Sequence, residues 1–388
     1  MEYNFDKLIE RRNTGCVKWD EPSLLLEGTG EALIPLWVAD MDFAVAPAIQ
    51  EAIRLRAAHP IFGYTYVQED YYEAVISWFK RRHQWDIQRE WILYTIGVVP
   101  AMSVAIKALT MPGEKVLILS PDYNCFFSSI KNNGCEVAEC VLRFCRSNNR
   151  FEIDWESFEA QCADEKTTVF LLCNPHNPTG RVWTREELER MRDICHQYHV
   201  RIVSDEIHCE LVMPGNTFCP MGTVDNEAII LNSPSKSFNI AGLMMANIIC
   251  QDAATRRRLD RAININEVCD VNPFAPVAVK AAYNDSEDWL DALNQYLWGN
   301  YTVLCDFVAQ HIPQWKVIPL EGTYLAWVDV SACCNSVATY CDHILEKAKV
   351  WLNPGTMYGA QSGEGYLRIN LACPRSLLLE ALNRIIKI

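Results

Sequence analysis

The chain has 388 residues, roughly two to three domains at about 150 residues each, and half of them are apolar, which excludes a disordered chain. Lys+Arg 35 against Asp+Glu 49 gives a net charge of −14, so nucleic acid and anionic membrane surfaces are poor partners. The first residues, MEYNFDKLIERR, lack the apolar core of a signal peptide, and no run of 18 apolar residues follows, so a cytoplasmic protein without a membrane span is expected.

The first 45 residues show no regular strand–helix alternation. The aromatic stretch after them, with Tyr64, Tyr66, Tyr71, Tyr72, Trp78, Trp85 and Trp91, reads as core and subunit interface. Short apolar runs then alternate with helical patterns. Leu93–Ile96, Val116–Ser120, Val169–Cys173, Arg201–Ser204, Ala228–Leu231 and Ala246–Cys250 predict buried strands. Thr184 followed three residues on by Glu187 predicts a capping box, and Leu188, Met191, Ile194 and Cys195 keep a helical period behind it. Such alternation predicts an α/β fold with a mostly parallel sheet covered by helices on both faces. From about residue 276 the pattern changes to helices around 287–311, 336–349 and 375–387, with short strands near 315–318, 324–329 and 366–370. A large domain over 46–275 and a smaller one built from both chain ends, 1–45 and 276–388, follow from that change.

The 17 cysteines include no C-x-x-C pair, and several (Cys173, Cys195, Cys250) fall inside apolar patterns. They predict buried free thiols in a reducing compartment, with the adjacent Cys333 and Cys334 as the place to watch for oxidation. His196 and His199 stand three apart at a predicted helix end, which explains them without a metal; no metal site is expected.

Open α/β sheets bind ligands at the carboxyl ends of their strands. Gly97-Val-Val-Pro100, Pro121-Asp-Tyr123, Asn174-Pro-His-Asn-Pro-Thr-Gly180, Asp205-Glu-Ile-His208 and Asn232-Ser-Pro-Ser-Lys236 each follow a predicted strand. Singly, these are turn glycines, a helix cap and a surface lysine. Together they place a lysine, a carboxylate and an aromatic ring around one crevice. A shielded lysine forms a Schiff base with an aldehyde, and a strand-end carboxylate keeps a pyridine nitrogen protonated. Pyridoxal phosphate needs both. Its phosphate needs N–H groups at a helix start, supplied by Val98 and Val99, and small hydroxyls, supplied by Ser233 and Ser235.

With these motifs in order, the chain resembles a fold-type I pyridoxal-phosphate enzyme of the class I/II aminotransferase superfamily over essentially its whole length. Ala39-Asp-Met-Asp-Phe43, Phe62-Gly-Tyr64, Ser204-Asp-Glu-Ile-His208, Ser235-Lys-Ser-Phe-Asn-Ile240 and Leu367-Arg-Ile-Asn-Leu-Ala-Cys-Pro-Arg375 resemble the MalY/PatB family of cystathionine β-lyases, or C-S lyases. Typical aminotransferases carry Tyr where His208 stands, and a phosphate-binding Arg where this chain has Met244.

The resemblance implies roles. Lys236 would carry the cofactor and then act as general base; Asp205 would hold the pyridinium. Asn177 would bond the ring hydroxyl with His208 nearby, and Tyr123 would stack on the ring and help the leaving group depart. Tyr64 would reach the phosphate of a neighbouring subunit, making a homodimer with shared sites. Arg368, assisted by Asn174, would grip the α-carboxylate of an amino-acid substrate. The implied reaction is α,β-elimination of L-cystathionine or another S-substituted L-cysteine to a thiol, pyruvate and ammonia. Two alternatives stand beside it: an aminotransferase of the same fold, and a catalytically idle fold used as a protein-binding regulator.

Overall fold

The computed structural model describes residues 3–25 and 33–388; residues 1–2 and 26–32 of the predicted 1–45 segment lie outside the described residues. Seven strands form the central sheet: β1 (Ile92–Thr95), β2 (Lys115–Ser120), β3 (Glu136–Val141), β4 (Thr167–Cys173), β5 (Arg201–Asp205), β6 (Ile229–Asn232) and β7 (Ala246–Cys250). Their order is β1-β7-β6-β5-β4-β2-β3, parallel except that β7 runs opposite to both its neighbours. The inner strands are near-continuous apolar runs because both faces are covered. Helix Val98–Leu109 lies against β5, β6 and β7, and also packs on helix Ala253–Ile265.

Strand register and reversal position the site. Cys173 sits opposite Asp205, and Asp205 opposite Leu231, so the carboxyl ends of β4, β5 and β6 finish in one row. Because β7 is antiparallel, the connection from β6 to β7 stays at that same end of the sheet. That connection carries Lys236.

The capping box on helix Arg185–Gln197 forms as the spacing predicts, with Thr184 Oγ1 accepting from the Glu187 N–H at 3.2 Å and Glu187 accepting from the Thr184 N–H at 2.9 Å. Leu188, Met191, Ile194 and Cys195 are its buried face, each contributing about 1.5–3 kcal/mol where a large apolar side chain is fully withdrawn from water. His199 ends this segment in the left-handed region at φ 59°, and His196 Nε2 meets an Asp225 oxygen at 3.1 Å, an acidic neighbour not evident from the sequence. All 17 cysteines are free thiols, Cys333 and Cys334 included.

A second, antiparallel sheet is built from β8 (Lys316–Val317), β9 (Leu325–Asp329), β10 (Asn353–Pro354) and β11 (Tyr366–Asn370), in the order β8-β9-β11-β10. Its long helices run Glu287–His311, Val337–Ala348 and Arg375–Ile385. Ile34–Pro35 pairs in parallel with Val350–Trp351, so part of the N-terminal segment runs beside the C-terminal one. The expected strand over 315–318 shrinks to two residues, and β1 starts one residue earlier than the sequence pattern suggests. Of the aromatic stretch, Tyr71, Tyr72, Trp78 and Trp85 are core, whereas Tyr64 and Tyr66 are exposed. No helix among the described residues is long and apolar enough to cross a membrane.

Candidate active site

A cavity of about 250 Å³ opens at the row of strand ends. Val98, Val99, Tyr123, Asn177, Asp205, His208, Ser235, Lys236 and Met244 all line it. Sequence reading had drawn these from five different strand ends and one loop, and the fold brings them to a single space.

Helix Val98–Leu109 starts here. Gly97 precedes it at φ 148°, in a region that favours glycine. The Ala101 N–H closes on the Gly97 carbonyl at 3.0 Å, and Pro100 has no N–H to give. The N–H groups of Val98 and Val99 are therefore the unsatisfied pair of the first turn, at the positive end of the helix dipole.

Lys236 Nζ donates to the Ala39 carbonyl at 2.6 Å. Burial lowers its pKa below the ordinary 10.5, against the pull of Asp40. Asp205 spends one oxygen on the Ile207 N–H at 3.1 Å. Burial raises its carboxyl to about 7, outweighing the Ile207 N–H and the Lys236 charge, and no described cation pairs with it directly. His208 is driven the other way, to about 3, by burial and then by the Lys236 and Arg368 charges, and it is neutral at physiological pH. Its Nδ1 is buried with no hydrogen-bond partner. Burial, followed by the Cys125 thiol, pushes the Tyr123 hydroxyl well above 10, so it stays a proton donor.

Arg368, on β11 of the second sheet, does not line the cavity itself but bonds to Asn177, which does. Its Nη1 donates to Asn177 Oδ1 at 3.2 Å and its Nη2 to the Trp37 carbonyl at 2.8 Å, while its Cζ lies 4.7 Å from the centre of the Tyr358 ring. It is buried, and it pairs with no carboxylate among the described residues, which leaves its charge without an anionic partner there.

Besides Arg368, three expected site residues do not line the cavity. Ser233 is not at the cavity wall: its hydroxyl donates to the Met245 carbonyl at 2.6 Å and accepts the Ser235 N–H at 3.1 Å, so it braces the turn. Asn174 makes no bond to Arg368; its Nδ2 donates to the Cys219 carbonyl at 3.0 Å. Trp37 and Tyr358 stand beside Arg368 instead. Tyr64 is fully exposed, away from this chain's own cavity. Sequence reading missed Tyr324, Tyr358 and the backbone carbonyls of Trp37 and Ala39. Carbonyls leave no trace in residue type, and the tyrosines lie in strand and turn patterns that look like core.

The donor set fits pyridoxal phosphate. A lysine amine with lowered proton affinity, a buried carboxyl awaiting a cation, a histidine nitrogen without a partner and two free helix-start N–H groups surround one cavity. Residues 31–385 match the family of class I and II aminotransferases, and the chain belongs to that family. Within it the chain falls in the MalY/PatB group. It is 38% identical to cystathionine beta-lyase PatB of Bacillus subtilis, over 98% of both chains, and 34% identical to protein MalY of Escherichia coli, over 97% of this chain and 96% of that one. Its fold superposes on the PLP-bound C-S lyase of Staphylococcus hominis with a TM-score of 0.91, at 33% identity, covering 100% of this chain and 98% of the other.

Proposed function

We propose that this protein is a pyridoxal-phosphate-dependent C-S β-lyase that eliminates a thiol from L-cystathionine or another S-substituted L-cysteine. The convergence of the Lys236 amine and the Asp205 carboxyl on one cavity, with the Arg368 guanidinium bonded to Asn177 on its wall, carries the reading, together with relatives of that activity at full-length coverage.

When bound, the cofactor supplies an electron sink conjugated to the substrate Cα. Asp205, short of a cation, holds a proton on the pyridine nitrogen. Neutral His208 turns an unpartnered nitrogen toward the same region and adds no positive charge there. Val98 and Val99 N–H groups take phosphate oxygens. Arg368 grips the substrate α-carboxylate through its fork and so fixes which Cα bond faces Lys236. Lys236 Nζ takes the Cα proton, its lowered pKa keeping more of the amine unprotonated. Tyr123, still protonated, donates toward the departing sulfur. A good leaving group on Cβ would direct the reaction to elimination of the thiol, with the remaining carbons leaving as pyruvate and ammonia after hydrolysis; without one, Lys236 would pass the proton to the cofactor carbon, and a keto acid would be needed to take up the amino group.

Met244 stands at the cavity where a phosphate-binding Arg would serve a typical aminotransferase, which favours the lyase reading. The exposed Tyr64, with Phe62 and Ile61 exposed beside it, supports a homodimer in which Tyr64 completes the partner's phosphate site. The two separate sheets support a division into 46–275 and the two chain ends, and we place the enzyme in the cytoplasm. The test is pyruvate release from L-cystathionine with cofactor and no keto acid. Equal amounts of pyruvate and homocysteine are expected; turnover that appears only with an added keto acid would replace the lyase reading with an aminotransferase.

A further inference from the structure

The strip from Trp37 to Met41 gives all its carbonyls to side chains from other segments. The Trp37 carbonyl accepts from Arg368 (2.8 Å) and Asn353 (3.0 Å), that of Val38 from Asn370 (2.6 Å), and that of Asp40 from Asn370 (2.7 Å). The Met41 carbonyl accepts from Asn239 Nδ2 and Arg11 Nη1, both at 3.0 Å. The acidic side chains pin the strip from its other side: Arg11 pairs with Asp40 at 2.7 Å and Asp42 at 2.6 Å, and the buried Lys18 pairs with Asp42 at 2.7 Å. A backbone bonded at every residue cannot shift without breaking several contacts together.

In the middle of this strip one oxygen takes two donors. The Ala39 carbonyl accepts from Lys236 Nζ at 2.6 Å and from the Tyr324 hydroxyl at 2.9 Å. Tyr324 is buried and fixed on both sides. Thr323 before it holds φ 69°, uncommon for a β-branched residue, with its N–H donating to the Leu211 carbonyl at 2.7 Å. The Tyr324 carbonyl accepts the Leu371 N–H at 2.9 Å, and its ring packs edge-on to His208 with centroids 6.0 Å apart. Burial pushes the phenol far above its ordinary pKa, so the hydroxyl always donates.

We propose that Tyr324 is a positioning residue for Lys236, acting through the Ala39 carbonyl that the two side chains share. The inference rests on the reading of Lys236 as the reactive amine. It has two consequences. The hydroxyl holds the carbonyl in one direction, which sets where the free amine of Lys236 rests. A carbonyl already bonded to one O–H is also a weaker acceptor for an ammonium, so sharing it eases loss of the lysine's proton. The other groups facing Lys236 are Asp40, Arg368, Asp205, Cys125 and His208, and a change at Tyr324 leaves their identities untouched.

The test is Tyr324→Phe, which keeps the ring against His208 and removes only the donor. In cofactor-free protein, a small neutral aldehyde with cyanoborohydride labels free amines, and peptide mass analysis reads Lys236 alone against pH. The labelling profile of the variant is expected to move to higher pH by about half a unit to one unit, the scale of one lost hydrogen bond. In the holoenzyme, kcat is expected to fall about tenfold with KM within about twofold. The visible absorbance of the cofactor on Lys236 should titrate at a shifted pH as well. Incorporating 3-fluorotyrosine at 324, a stronger donor of nearly the same shape, should move the labelling profile to lower pH, and it serves if the Phe variant does not fold. Profiles that coincide with wild type, or a loss of kcat with no shift in either profile, would overturn the proposal. Pyruvate release by the unaltered enzyme tests the lyase reading separately, and the labelling arm reports on Tyr324 whether or not that release occurs.

Discussion

Asp205 and Glu210 are five residues apart, both buried, and they are opposites. Glu210 is saturated. His83 Nε2 and Trp78 Nε1 each meet its Oε1 at 2.6 Å, and Arg82 Nε lies 3.5 Å from its Oε2. Burial would raise its pKa, but the His83 charge and the bonds from His83 and Trp78 outweigh it and hold the carboxyl below its ordinary value. Asp205 has one backbone N–H, and burial wins, raising it to about 7. His83, Cys209 and Glu210 stand as close as metal ligands do, yet the carboxylate there is already spent on protein donors. A functional site is marked by what the fold leaves unfinished, not by buried charge itself.

The sharpest way to break this contrast is to neutralise each carboxylate. On the proposed function, Asp205→Asn removes the group that would keep the pyridine nitrogen protonated, and pyruvate release is expected to fall by about 10³-fold or more, while the far-ultraviolet circular dichroism is unchanged. Glu210→Gln should do the reverse. It strands His83 and Arg82 beside a neutral amide, with a stability loss of about 3 kcal/mol in urea unfolding and kcat within about threefold of wild type. A Glu210 variant that folds normally but loses turnover would dissolve the distinction.

pH sharpens it next. Without cofactor, Asp205 binds its proton more tightly folded than unfolded, about 7 against the ordinary 3.8. The native state then carries the extra proton between those values, so the Asp205 contribution to stability falls as pH rises through that window and is fully lost above it. The cost is at most about 4 kcal/mol. Cofactor-free Asp205→Asn should therefore gain on wild type in thermal midpoint from pH 5 to pH 8. Glu206, raised by burial to about 8, is also pushed up by the Asp205 charge, so Asp205→Asn lowers it and adds to the gain in the same direction. A constant difference across that range would mean that Asp205 is ionised without help.

The same contrast explains what could be read from the sequence. The strand-end motifs were legible because their chemistry resides in side chains and their spacing follows the strand–helix rhythm; Lys236, Asp205, Asn177 and Tyr123 meet as that rhythm requires. Ser233, which near the key lysine reads as a phosphate ligand, gives its hydroxyl to the Met245 carbonyl in this structure, a contact that residue type alone does not announce. Asn174 bonds to the Cys219 carbonyl through Nδ2, while its buried Oδ1 has no partner. Arg368 was found by motif, but its neighbours Trp37 and Tyr358 come from segments 331 and 10 residues away, and only the second sheet brings them together. Those contacts are tertiary, and no local period announces them.

Arg368 also offers a smaller test. Lysine would keep the charge but lose the fork that now spans Asn177 and Trp37. Arg368→Lys should raise KM about tenfold and lower kcat less, because the carboxylate grip acts on bound substrate before and during proton removal.

The smallest effect expected is at Met244, and it probes the phosphate end of the cavity. Met244 is half exposed, in the left-handed region at φ 54°, and it lines the cavity with Val98 and Val99. No arginine lines the cavity, so within this subunit the proposed phosphate site would rest on the helix-start N–H groups and the Ser235 hydroxyl. Met244→Arg would add a charge-assisted bond at a partly solvated position, where such contacts gain roughly 0.5–1 kcal/mol. Cofactor dissociation, followed by loss of visible absorbance on dilution, should slow about two- to fivefold with kcat nearly unchanged. The left-handed backbone tolerates Arg as it tolerates Met, since neither is β-branched. If the Arg variant loses cofactor faster, that place is already taken by another cation, and in the proposed dimer the partner subunit would supply more than Tyr64.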